Sequence, residues 1–365
     1  GLARREEELN GLQPIGGNER DDLPGREPGL IDDPVGPAPR PVVEFEVAQP
    51  LVRRRIDKRR SRRRQGPSAA APVADPVHRA LIPGLIPIHH PPEFQQNNRM
   101  QYNDLIDIGV NLTHARFNND RDAVIERAME ARVTRMILTG VNLAESESAV
   151  ALAEAWPNIM HATAGVHPHH ADQWSRTAAE SLQALIERPS TVAIGETGLD
   201  YNRDFSPRPD QRAAFAAQLE IAAASQAPVF LHQRDADADF LAILREHRAA
   251  LPDVVLHCFT GDRALLEACL ALDVHIGITG WVADERRGAE LRRCVPDIPI
   301  DRLMIETDAP FLLPGNLPDP PAKRRNEPGF LPHVLEAVAA LRDESAIRLA
   351  AATTATSRRF FRLAD

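Results

Sequence analysis

From residue 101 onward the chain repeats one alternation. Apolar runs of six to eight residues give way to loops, and the loops to Ala/Leu/Glu/Arg-rich stretches. The apolar runs are "DLIDIGV" (104–110), "RMILTGV" (135–141), "IMHATAGV" (159–166), "TVAIGE" (191–196), "APVFLH" (227–232), "VVLHCF" (254–259), "VHIGITG" (274–280) and "LMIETDA" (303–309). Each reads as a buried strand, and 119–132, 144–155, 210–225, 235–250 and 262–272 read as helices between them. Eight strand–helix units in about 265 residues predict an α/β fold, a single (β/α)₈ TIM barrel. A doubly wound open sheet is the rival. It would gather its ligands at one switch point, and no glycine-rich dinucleotide fingerprint follows the first strand, so the barrel is preferred.

Residues 1–100 lack this pattern. They hold 15 of the 31 prolines and carry charge without apolar periodicity. Such a segment buries too little surface to offset its ordering entropy. The expected organisation is therefore a disordered Pro/Arg-rich extension over 1–100 and one barrel domain over 101–365. Within the extension, "RRRIDKRRSRRR" (53–64) has nine basic residues and one acid. It reads either as a nucleic-acid or membrane tether or as a solvated arm, and the lack of interleaved aromatics favours the arm.

The formal charge of -9 is unevenly spread: 101–365 alone carries 27 basic and 38 acidic groups. An acidic body argues against non-specific binding to long duplexes. It leaves room for a local anion site built from a metal and a few arginines. Cys258, Cys269 and Cys294 are too sparse for a disulfide framework and point to a reducing compartment. No apolar run approaches the ~20 residues of a membrane span, and no signal peptide is visible. The expectation is a cytoplasmic monomer with no membrane partner.

The strand ends carry the chemistry. "TVAIGE" ends on Glu196, "PVFLH" on His232, "VVLH" on His257 and "LMIETD" on Asp308. "TAGVHPHH" adds His167, His169 and His170, and the first strand carries Asp107 and Asn111. In a parallel barrel all C-terminal strand ends open onto one face, so these groups converge. Alone, each has an ordinary reading: a satisfied buried imidazole, or a carboxylate capping a helix. Together, two imidazoles and two carboxylates make a divalent-metal site, because a cation offsets the cost of burying them unpaired. Asp308 is placed to hold and deprotonate an attacking water. Asp200 reads either as a carboxylate orienting a histidine or as a turn or helix cap. Tyr201 and Trp281, just past two strand ends, either stack on a base or pack against loops. Strand alternation sends Cys258 outward if His257 faces the mouth.

The segments "DIGVNLT", "ILTGVNL", "TAGVHPH", "AIGETGLD", "CFTG", "ITGWV", "ETDAP" and "RRNEP" resemble the TatD family of metal-dependent deoxyribonucleases, its bacterial members most closely, over about 104–363. The resemblance implies a barrel of the metal-dependent hydrolase type that hydrolyses DNA phosphodiesters. It implies metal ligands at Glu196, His232, His257 and Asp308, and His167 and His169 near the substrate phosphate. It also implies 3′→5′ exonuclease action on single-stranded or frayed DNA, with RNA as a second substrate. Many members open the barrel with a His-x-His pair; here those positions are Gly109 and Asn111. Fewer imidazoles and more oxygen donors favour Mg²⁺ or Mn²⁺ over Zn²⁺. In the implied mechanism Asp308 and Glu196 are catalytic. Arg234 and Arg325 are further phosphate contacts, with a rim salt bridge to Glu327 as the alternative for Arg325. By activity class, DNA repair or clearance of degraded DNA is the expected role.

Two other readings remain at this stage. One is a small-molecule ester or amide hydrolase on the same barrel. Many of those carry a bridging carbamylated lysine, whereas here "PVFLH" ends without lysine and Glu196 takes the bridging place. The other is an RNA- or partner-binding protein using the basic arm, with an inactive barrel.

Overall fold

The computed structural model of the protein describes residues 104–364. The expectations for residues 1–100, the basic run included, lie outside them. The strands are β1 Leu105–Val110, β2 Val133–Leu138, β3 Met160–Ala164, β4 Thr191–Asp200, β5 Val229–Arg234, β6 Val254–Leu256, β7 Val274–Ile278 and β8 Leu303–Ile305. They pair in chain order, every pair parallel. A parallel bridge between Val110 and Ala309 brings the last strand to the first and nearly closes the barrel. The predicted (β/α)₈ class is the observed one.

The helices are α1 Arg121–Glu130, α2 Leu143–Ala155, α3 Arg176–Ile186, α4 Arg208–Ser225, α5 Asp237–His247, α6 Arg263–Ala271, α7 Ala289–Cys294, α8 Leu331–Arg342 and α9 Ala346–Phe361. Several start on side-chain caps: Asn142, Ser175 and Asp262 each accept a backbone N–H of the first turn. One large apolar core lies between strands and helices. A smaller one joins Ile106, Ile108, Ile137, Ala193, Phe230, Val255 and Met304 to Phe360 and Phe361 of the last helix. No described helix is long and apolar enough to cross a membrane.

Two strands run past the points at which the sequence reading ends them. β4 continues through Glu196 to Asp200, and β5 continues through His232 to Arg234. The reason lies at Gly195. Its φ of +130° suits glycine, and a Cβ there would strike the Phe230 carbonyl oxygen. The β4–β5 register shifts between Ile194 and Thr197. Glu196 thus sits in an irregularity inside a strand, not one step beyond it.

Gly109 of β1 and Gly277 of β7 make room for a buried side chain, the Glu306 carboxylate; a Cβ on either would crowd it. At Gly109 the ring of Phe230 closes the other side, at 3.2 Å from that Cβ. Gly109→Ala is therefore expected to cost about 1–3 kcal/mol by overpacking. Urea unfolding measures this, and a midpoint equal to wild type would contradict the packing argument.

Candidate active site

Glu196 is the hub of the barrel mouth. Its Oε1 lies 2.7 Å from His232 Nδ1, 2.7 Å from His257 Nε2 and 3.4 Å from His167 Nε2. One carboxylate oxygen thus faces imidazoles from β5, from the end of β6 and from the loop after β3. Burial opposes ionisation of Glu196, but the imidazoles of His257 and His167 overcome it and hold the carboxyl well below its usual range. Burial likewise opposes charge on His257, and Glu196 with Glu306 drives it well above the ordinary imidazole value.

The three histidines differ in what they offer. His167 Nδ1 accepts the His169 N–H at 3.1 Å. Burial pushes its pKa down to about 4, so the ring is neutral at pH 7. A neutral ring accepting at Nδ1 carries its proton on Nε2, which makes Nε2 a donor. His232 turns Nδ1 to Glu196, while its buried Nε2 makes no hydrogen bond and lies 3.4 Å from Asp200 Oδ2. His257 is held at both nitrogens, with Nδ1 at 3.3 Å from Glu306 Oε2.

Asp200 combines the two roles the sequence left open. Its Oδ2 accepts from His169 Nε2 at 2.8 Å, and its Oδ1 accepts the N–H groups of Asn202 and Arg203 in the turn after β4. Asp308 has positive φ at the start of the loop after β8. Its Oδ1 accepts from Asn111 Nδ2 at 3.0 Å, and Oδ2 has no hydrogen-bond partner among the described residues. No hydrogen bond joins it to Glu196 or the histidines, yet it is close enough to feel His257 and Glu196. Burial is the largest influence on its carboxyl, which rises to about 7.

Two fully buried carboxylates lie beneath these groups, and the sequence reading assigned neither a role. Glu306 accepts the Cys258 N–H and faces His257. Asp107 accepts from Gly109 N, Thr307 N and Thr307 Oγ1, which fixes the residue before Asp308. Burial pushes Asp107 up to about 8. The legible signals were an acid inside the apolar run of β1 and two strand glycines that open space for a second one.

One expectation needs correction. Cys258 does not pack outward. β6 ends at Leu256, Cys258 has φ +45°, and its thiol is near Thr279 and within reach of the Asp308, Glu306 and Glu196 charges. Arg325 holds Asp120 through both terminal nitrogens and Glu327 through one, so its guanidinium is committed to the rim salt bridge. Tyr201 is tied to Asp239 and Arg212, with Arg208 over its ring, and Trp281 has the guanidiniums of Arg234 and Arg287 over its ring. Among the described residues, Phe205, beside His169 at 4.7 Å between centroids, and Phe311 are exposed aromatic rings on mouth loops.

A sequence profile described as TatD related DNase matches residues 106–362. The chain belongs to this family. It is 54% identical to the 3′-5′ ssDNA/RNA exonuclease TatD of Pantoea vagans (strain C9-1), over 71% of this chain and 100% of that protein. Among solved structures it is similar to YJJV, the TatD homologue of Escherichia coli K12, with TM-score 0.66 and 28% identity over 71% of this chain and 98% of that one. A hydrolase TatD family protein of Entamoeba histolytica gives TM-score 0.65 and 25% identity over 71% and 98%. As a TatD-family DNase the chain is a hydrolase of phosphodiester bonds.

Part of the implied donor set lies within reach of a shared divalent cation: Glu196 and His232 fall in one group with His167, and His257 and Asp308 lie outside that group. His167, Glu196 and His232 each offer an atom within 4.8 Å of the others, and His232 Nε2 faces Asp200 Oδ2 at 3.4 Å.

Proposed function

We propose that the protein is a divalent-metal-dependent 3′→5′ exonuclease acting on single-stranded DNA, with RNA as a second substrate. The observation that carries the reading is the single Glu196 oxygen facing three imidazoles at the barrel mouth. Glu196, His232, His257 and Asp308 would hold the cation. When bound, a divalent ion lowers the pKa of water and stabilises negative charge on a phosphoryl oxygen. Gly109 in place of a histidine leaves an oxygen-rich donor set, which favours Mg²⁺ or Mn²⁺.

The protein's own groups have separable tasks in this reading. Asp308 Oδ2 accepts the proton of the attacking water, while Asn111 steadies Oδ1. His167 Nε2–H donates to a phosphate oxygen. His169 is held in register by Asp200 for the same phosphate, and Arg234 at the end of β5 adds a positive charge. Phe205 offers a ring face to the terminal base, worth about 1–3 kcal/mol.

Chelation is expected to abolish release of nucleotides from the 3′ end of a labelled single strand. Mg²⁺ or Mn²⁺ restores it at least ten-fold better than Zn²⁺. Turnover of an ester panel, with none of the oligonucleotide, would move the reading to small-molecule hydrolysis.

A further inference from the structure

A cleft of about 550 Å³ opens beside the site, between the loops that follow β7 and β8. Its lining includes Arg116, Arg286, Arg287 and Arg324 against two acids, Asp284 and Glu285. Arg287 is paired with Asp284, but Arg116, Arg286 and Arg324 have no carboxylate within ion-pair distance among the described residues. Unpaired cations gathered in one cleft are unusual on a domain whose residues 101–365 carry a net negative charge.

The cleft is joined to the chemistry by its floor. Pro310 and Phe311 line it and follow directly on Asp308, whose carbonyl accepts the Phe311 N–H at 2.9 Å. Arg116 donates to the Pro310 carbonyl at 3.2 Å. The Phe311 ring is 45% exposed and braced edge-on by His114 at 5.5 Å, three residues beyond Asn111. Arg287, also in the lining, lies over the Trp281 ring, as does Arg234 at the end of β5. An exposed ring among guanidiniums, three of them without a carboxylate partner, is the pairing that single strands need: a stacking face for bases and charge for the backbone.

We infer that this cleft holds the single-stranded nucleic acid leaving the site, with Phe311 stacking a base and Arg286 and Arg324 each contacting a phosphate. The inference rests on the nuclease reading and adds a path for the strand beyond the reacting phosphate. A charged cleft so placed would also explain how an acidic body retains a polyanion: attraction is local, where the strand must pass.

The test uses the full chain loaded with Mg²⁺ and compares a single-stranded 15-mer with bis(p-nitrophenyl) phosphate, which is too short to enter the cleft. Arg286→Ala with Arg324→Ala is expected to raise KM for the 15-mer at least ten-fold with kcat within about two-fold, and to leave the small diester unchanged. The slope of log KM against log salt should shrink by about 1.4, as two phosphate contacts at ~0.7 each require. Phe311→Ala should raise KM about five-fold or more with the salt slope unchanged. Both arginines are exposed and unpaired, so their loss leaves the fold intact. In parallel, fluorescence anisotropy follows a phosphorothioate 15-mer that resists cleavage. An unchanged KM and anisotropy midpoint in the double variant overturn the cleft. A wild-type chain that cleaves no oligonucleotide overturns the nuclease reading instead. The anisotropy comparison still decides the cleft in that case, for or against.

Discussion

Glu196→Gln is expected to lower kcat/KM by about three orders of magnitude or more, equivalent to roughly 4 kcal/mol of transition-state stabilisation. The substitution keeps size and shape and removes one charge. In the wild type that charge faces His232, His257 and His167 together. An amide oxygen still accepts hydrogen bonds from the rings, but it attracts neither imidazolium nor cation comparably. Metal affinity measured by calorimetry should fall with activity. In the metal-free protein the His257 titration should move down towards 6.5, because Glu196 is the main influence raising it. Stability gives a further check. Glu196 is held below 4.5, so its contribution is present above that pH and lost as pH falls through its folded value. His257 is held above 6.5, so its contribution is complete below that pH and lost as pH rises through its folded value. Between pH 4.5 and 6.5 the metal-free wild type has both. The variant should therefore melt lower than wild type at pH 6. The loss is limited, because His257 can shed its proton instead of remaining an unpaired buried cation. Wild-type kinetics and metal affinity in the variant would end the assignment of Glu196 as the centre of the site.

The site was legible in the sequence to the extent that barrel geometry forces it. A parallel barrel puts every strand's C-terminal end on one face, so ionisable groups at the ends of apolar runs had to meet. Glu196, His232 and His257 do meet. The sequence does not show which hydrogen each ring carries. The assignment of His167 as donor rather than ligand depends on the His169 N–H pointing at Nδ1, a detail of one short loop. Period-two reasoning failed at Cys258 because the strand had already ended and the backbone turned through positive φ. Glu306 escaped notice for a related reason. Next to Asp308 it reads as a neighbour, and only the space above Gly109 and Gly277 shows that it fills the barrel interior. Arg325 and Phe311 show the limit for rim residues. An arginine near Glu327 can serve a phosphate or a salt bridge, and an aromatic past a strand end can pack or project. Loop conformation decides, and local pattern does not carry it.

Asp308→Asn is expected to reduce kcat by 10²–10⁴-fold, the usual range for a positioned general base, and to change the pH dependence of what remains. Asn111 can still donate to the amide oxygen, so the loop after β8 keeps its shape. In the wild type, burial lifts Asp308 to about 7, with Glu196 and Glu306 adding to the shift and His257 and Asn111 opposing it. The carboxylate form is the base, so kcat/KM should rise ten-fold per pH unit on the acid side and level off above the pKa. A bound cation favours the charged form and moves that limb below pH 7 as metal saturates. Asn111→Ala should shift the limb upward, because it removes a hydrogen bond that favours the carboxylate. The acid limb should vanish in Asp308→Asn; an unchanged limb would show that another group is the base. Stability should move the opposite way. A carboxyl whose folded pKa lies above its ordinary 3.8 destabilises the protein as it ionises, so the cost grows from about pH 4 and is complete above about pH 7. Metal-free Asp308→Asn should consequently melt higher than metal-free wild type at pH 8, and the advantage should disappear near pH 4. A variant that gains stability while it loses turnover separates a residue kept for chemistry from one kept for folding.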